Sequence, residues 1–113
     1  MSKEISLSVA LAEVAEGRPH VCMAGEREIV ICRTKDGIYA LDNICTHAYA
    51  RLNEGRLRGT RLICPLHGAS FDVRDGRVLG APATRPLATH RLRIVGDRIE
   101  ISVQPADAAR LTI

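Results

Sequence analysis

Two short loops carry the residue types that could do chemistry. Asn43-Ile44-Cys45-Thr46-His47 and Cys64-Pro65-Leu66-His67-Gly68 each offer one thiol and one imidazole, with sixteen residues between His47 and Cys64. A zinc finger normally presents its cysteines as one close pair and its histidines as another, whereas here the two kinds are mixed within each loop. The mixture suits a pair of metal ions with two kinds of site. A structural zinc site in a binding module is the alternative, and it predicts a colourless protein. Four protein ligands leave no metal position open for substrate, so no residue is assigned a catalytic role. His20 and His90 have no companion at metal-ligand spacing and read as solvated or strand-face residues.

The elements that must position these loops are strands. Alternation of apolar and polar residues recurs in short segments closed by turn dipeptides. Strands are expected over residues 19–23, 28–34, 37–41, 61–64, 70–73, 77–79, 91–95 and 98–103. Asp36-Gly37, Asp75-Gly76 and Gly96-Asp97 mark hairpins, because Asp and Gly tolerate the positive φ of tight turns. The pattern is clearest at the end, where Leu92, Ile94, Ile99, Ile101 and Val103 alternate with polar residues. One short helix is expected over residues 11–16, where Leu11, Val14 and Ala15 share a face before Gly17. The reading is a mainly β chain, with antiparallel small sheets in a sandwich, two ligand loops at about 43–50 and 64–71, and at most a short helix.

Composition narrows the class. The 113 residues fit one domain, 1–113, with a core built on Ile, Val and Leu, since Tyr39, Tyr49 and Phe71 are the whole aromatic complement. The net charge of +3 comes from fourteen Arg and two Lys against thirteen acids. The excess is spread along the chain without interleaved aromatics, which argues against a nucleic-acid module. An acidic protein partner is the sharper reading. No apolar run approaches membrane-spanning length. The N-terminal stretch only faintly imitates an export signal, because Glu4, Ser6 and Ser8 interrupt it. A reducing cytoplasm is therefore expected, and Cys22 and Cys32 should be separate buried thiols. A two-residue turn at Gly25-Glu26 would set Cys22 opposite Ile29 and Cys32 opposite Pro19.

With these residues in view, the chain resembles a Rieske ferredoxin, the small electron carrier of bacterial ring-hydroxylating dioxygenase systems. The resemblance runs from the Gly25 hairpin through Tyr39-Ala40-Leu41-Asp42-Asn43, both ligand loops, Phe71-Asp72-Val73, Asp75-Gly76 and Gly80-Ala81-Pro82 to the last hairpin. It implies one 2Fe-2S cluster, with Cys45 and Cys64 on one iron and His47 and His67 on the other. Replacing two thiolates by neutral imidazoles removes negative charge and makes reduction easier. The resemblance also implies that the histidine-bearing iron lies near the surface. Gly68 would let the backbone approach the cluster, and Pro82, in a loop at about 80–86, would cover it. Arg51 and Arg85 could border the exposed histidines and meet a partner's carboxylates.

Departures from the pattern carry information too. High-potential Rieske proteins of quinol-oxidising complexes add a cysteine to each loop and hydroxyl donors near a sulfur. Here Ala50, Leu66 and Phe71 stand at those places. Fewer hydrogen bonds to sulfur imply a potential near the low end of the range of roughly −150 to +300 mV. The function implied is one-electron transfer by a monomer from a flavin-dependent reductase to a terminal oxygenase. A tightly bound small subunit of a larger oxidoreductase, such as a nitrite reductase, is the competing reading. Ala48-Tyr49-Ala50 departs from the smaller residue common directly after the first histidine in such ferredoxins, and the basic net charge is unusual for them.

Overall fold

The computed structural model describes residues 4–66 and 68–104; His67 and the ends of the chain lie outside the described residues. Among the described residues, ten strands, all paired antiparallel, form two sheets. The larger is built from β1 (Ile5–Ala10), β2 (His20–Ala24), β3 (Arg27–Thr34), β4 (Gly37–Asp42), β9 (Thr89–Val95) and β10 (Arg98–Val103), in the order β1-β10-β9-β4-β3-β2. The smaller contains β5 (Arg56–Arg58), β6 (Arg61–Ile63), β7 (Ser70–Asp72) and β8 (Val78–Gly80), in chain order. Because β4 and β9 are hydrogen-bonded neighbours, everything from Asn43 to Ala88 is an insertion between adjacent strands of the larger sheet.

β3 explains how the two parts share one body. Its side chains alternate between two apolar clusters, and Ile29, Val30, Ile31 and Cys32 are all fully buried. Ile29 and Ile31 join Val14, Ala40, Ile99, Ile101 and Val103 in a cluster within the larger sheet. Val30 and Cys32 point the other way, into a cluster with Leu41, Leu57, Leu62, Phe71 and Val73, alongside Cys45 and Cys64. A strand apolar on both faces is a continuous run rather than an alternation, and Ile29-Val30-Ile31-Cys32 is such a run.

The hairpins follow turn chemistry. Ala24 pairs with Arg27, so Gly25-Glu26 is the two-residue turn, with Gly25 at φ +64°. The ladder sets Cys22 opposite Ile29, and both Cys22 and Cys32 are free thiols in different clusters. Burial pushes the Cys32 thiol up to about 12. Gly96-Asp97 likewise closes β9 on β10, where Val95 pairs with Arg98. The loop between β3 and β4 is Lys35-Asp36, the gap left by the strands expected over 28–34 and 37–41, and Gly37 pairs with Thr34. The Thr34 hydroxyl oxygen accepts from Asp36 N and Gly37 N and so stabilises this turn.

Three other differences have physical causes. The expected helix is only a 3-10 turn, Leu11–Glu13, because Val14 leaves helical geometry to bury its side chain. Glu16 then forms an isolated parallel bridge to Arg33. β1 was not expected as a strand, yet its Leu7 and Val9 pack on the Ile99–Ile101 cluster while Ser6 and Ser8 alternate with them. β5 has one apolar residue, Leu57, between two arginines, too short a signal to stand out. Its pairing with β6 defines it, through the Gly59-Thr60 turn.

Candidate metal centre

The first loop leaves β4 at Asp42, which is held from two sides. Arg27 donates from Nε and Nη2 to its two carboxylate oxygens at 2.9 and 3.0 Å, and His90 Nε2 lies 2.8 Å from Oδ1. Burial pushes this carboxyl up, but the hydrogen bonds from His90 and Arg27 prevail and hold it below the usual carboxylate range. His90 is thus a buried strand-face residue rather than a ligand, its side chain 3% exposed.

Asn43 comes next and is fully buried. Its amide donates to Glu28 Oε1 at 3.0 Å and to Asn53 Oδ1 at 2.8 Å, while its own Oδ1 accepts from Asn53 N at 2.8 Å. Together with Leu52 N donating to Asn43 O at 2.7 Å, this cross-brace closes the base of the loop. Within it, Cys45 N donates to Ala50 O at 2.9 Å, turning the Cys45 and His47 side chains back on each other. Cys45 Sγ and His47 Nδ1 lie 2.8 Å apart. Asn43 was not singled out from the sequence. The signal for it was present, as a lone amide between an apolar strand and a ligand, where burial would demand partners.

The second loop repeats the device. Cys64 N donates to Ala69 O at 2.7 Å, and Leu66 N donates toward Cys64 Sγ at 3.4 Å. Gly68 sits at φ +75°, a left-handed conformation that favours glycine. Burial first, and then the neighbouring Cys45 sulfur, push the Cys64 thiol up against the pull of the Leu66 N–H. Arg61 Nη1 donates to the buried Ser70 Oγ at 2.7 Å and closes the strand that follows.

The two loops converge. One ligand atom from each of Cys45, His47 and Cys64 lies within 4.8 Å of the others. Both cysteines are buried, whereas His47 is half-buried. His67, the fourth expected ligand, is among the residues not described. Two sheltered sulfurs beside an imidazole, with a backbone N–H aimed at one sulfur, are a donor set that fits a Rieske cluster.

A third segment closes over the first loop. The Thr46 hydroxyl donates to Arg85 O at 2.7 Å, and Arg85 Nη2 donates back to Thr46 O at 3.3 Å. Ala83 and Leu87 anchor the segment in the core, while Pro82, after a cis peptide bond, is exposed. At its far end Leu87 N donates to Gly76 O at 2.8 Å, and a Cβ on Gly76 would strike the Leu87 carbonyl oxygen. Arg85 therefore borders the ligand loop. Arg51 lies across the first loop from Ile44, its Nε donating to both Glu28 carboxylate oxygens at 3.1 Å.

The Rieske [2Fe-2S] domain family matches residues 6–91 of this chain. The chain belongs to that family. A ferredoxin component of a naphthalene 1,2-dioxygenase system from Pseudomonas aeruginosa is 40% identical over 96 residues, covering 85% of this chain and 92% of that protein. Among solved structures, a chain in the complex of reduced oxygenase and oxidized ferredoxin of carbazole 1,9a-dioxygenase superposes with a TM-score of 0.79 at 30% identity, covering 84% of this chain and 99% of that one. A Mycobacterium tuberculosis chain described as an NADH-dependent nitrite reductase small subunit shares the fold at 20% identity and a TM-score of 0.72, over 88% and 96% of the two chains. As a Rieske domain the protein takes one 2Fe-2S cluster. No described helix is long and apolar enough to cross a membrane.

Proposed function

We propose that Cys45, His47, Cys64 and His67 hold the cluster, and that the protein carries single electrons from a flavin-dependent reductase to the terminal oxygenase of an aromatic-ring-hydroxylating system. The observation that carries this reading is the meeting of two buried sulfurs and a half-buried imidazole from separate loops. When bound, a Rieske cluster supplies a site that takes up and releases one electron. The chain's own residues do the rest. Ala50, Leu52, Ala69, Phe71, Ala83 and Leu87 pack beside the two cysteines and exclude water from the sulfurs. The Leu66 N–H favours negative charge on Cys64 Sγ.

The relatives support the choice of system, since a ferredoxin component of a dioxygenase system covers most of this chain at 40% identity. The nitrite reductase small subunit is a more distant likeness, and at 20% identity it speaks for the fold alone. The protein is then a single-domain, monomeric, cytoplasmic carrier and not itself a catalyst. Ala50, Leu66 and Phe71 offer no additional thiol or hydroxyl to the site, and Phe71 is wholly buried in the apolar cluster. This supports a potential at the low end of the Rieske range.

The test is metal and sulfide analysis of anaerobically purified protein with electron paramagnetic resonance after dithionite. About two irons and two sulfides per chain with a rhombic signal are expected. A colourless protein holding one zinc would refute the reading. Gel filtration of the native extract checks the carrier role: elution as a free monomer supports it, and stable co-elution with a large chain supports a bound subunit.

A further inference from the structure

We propose that the electron acceptor meets the ligand-loop end with carboxylates arranged around an apolar recess. The proposal rests on the carrier role above and adds the chemistry of the partner's surface. Three segments meet at this end: residues 43–53, the described residues of 62–71, and 78–88. None of them contains an aspartate or glutamate, and apart from their histidines their only charged residues are Arg51 and Arg85. The polarity extends further. The whole insertion from residue 43 to 88 holds seven arginines against three acids, a net +4, whereas the rest of the chain holds nine cationic residues against ten acids, a net −1.

Internal pairing does not erase this bias. Asp72 is engaged by both Arg74 and Arg77, and Glu28, the acid reaching in from β3, is spent on Arg51 and Asn43. The Arg51 side chain still stays 54% exposed. Arg85 has no carboxylate partner among the described residues; its guanidinium is fixed beside the ligand loop by the Thr46 carbonyl.

The same end displays apolar groups to water. Tyr49, two residues past His47, is 91% exposed, and Leu66, between Cys64 and His67, is 45% exposed. Pro65, next to Leu66, and Pro82 and Pro86, flanking Arg85 in the third segment, are exposed as well. An aromatic ring left in water does little for folding, whereas Tyr and Arg are the residues that anchor interfaces. Charge complementarity then assigns the partner's chemistry, because a rim whose one acid is already paired and whose Arg85 faces no carboxylate among the described residues attracts carboxylates and repels a basic surface. The exposed face of β9 and β10 is a weaker candidate, since Glu100 there already answers Arg93 and no ligand residue lies on those strands.

The experiment is stopped-flow oxidation of the reduced holoprotein by two acceptors of known surface charge, acidic cytochrome b5 and basic cytochrome c. Reaction with cytochrome b5 should slow roughly tenfold between about 20 and 500 mM salt. Arg85→Gln should lower the low-salt rate about threefold and Arg85→Lys should retain it, because the charge is what matters. Tyr49→Ser should slow the reaction at both salt levels, with the visible spectrum and rhombic resonance unchanged. An intact cluster protein that reacts with cytochrome b5 independently of salt, slows with rising salt toward basic cytochrome c, or tolerates Tyr49→Ser would overturn the docking proposal alone. A protein that binds no iron and sulfide would overturn the carrier role with it.

Discussion

Asp72 has a side chain only 3% exposed and faces two guanidiniums, with Arg74 Nη2 at 2.8 Å and Arg77 Nη2 at 3.3 Å. The Arg74 hydrogen bonds hold its carboxyl down at about 2. A carboxyl depressed in the folded state contributes stability above its unfolded value of about 3.9, and that contribution is lost as pH falls through the folded value. Denaturant titrations should therefore show wild-type losing on the order of 1–2 kcal/mol between about pH 4 and pH 2 that Asp72→Asn does not lose. Parallel pH profiles for the two proteins would mean that these ion pairs contribute nothing. At the proposed ligands, His67→Cys should lower the reduction potential, because a thiolate adds negative charge where a neutral imidazole stood. An unchanged potential in a variant with full iron content would contradict the charge argument. The ligand types and their spacing were legible at this scale, whereas the buried Asn43 brace was not, because its value depends on Glu28 and Asn53 arriving from other segments.

Among the elements, the two ligand loops share one construction, in which the cysteine N–H reaches a carbonyl five residues on, Ala50 O in the first and Ala69 O in the second. The third segment is fastened to the first loop by the reciprocal Thr46–Arg85 pair. Thr46→Val keeps the side-chain shape and removes the hydroxyl, at a net cost of about 1 kcal/mol for one hydrogen bond. Iron loss to a chelator should accelerate about fivefold. A wild-type rate would show that the clasp does not guard the site. Hairpin turns such as Gly25-Glu26 and Gly96-Asp97 were readable because turn chemistry is local. β1 and β5 were not, since a six-residue segment of alternating serines and a three-residue segment with one leucine become strands only through their partners.

At the scale of the molecule, β3 divides two apolar clusters and makes them separately testable. Ile31 belongs to the cluster of the larger sheet, and Leu62 to the one that encloses Cys45 and Cys64. Both are fully buried, so truncation of either to alanine should cost about 2–5 kcal/mol in unfolding. Leu62→Ala should also speed iron release and disturb the rhombic signal, while Ile31→Ala should leave the metal properties of the folded protein as they are. Equal effects of the two on the signal would show that the clusters are not independent supports.

The local chemistry was decided by the chain alone. Residue type and spacing set the donors, alternation set most of the strands, and glycine-containing dipeptides set the hairpins, because each depends on neighbours in sequence. What only folding decided is which distant groups meet. A long insertion between two paired strands carries both ligand loops and brings Cys45, His47 and Cys64 within reach of one another. Folding also gathers acid-free segments and an exposed tyrosine at one end. Such proximity arises from long-range strand pairing and burial, which no local pattern encodes.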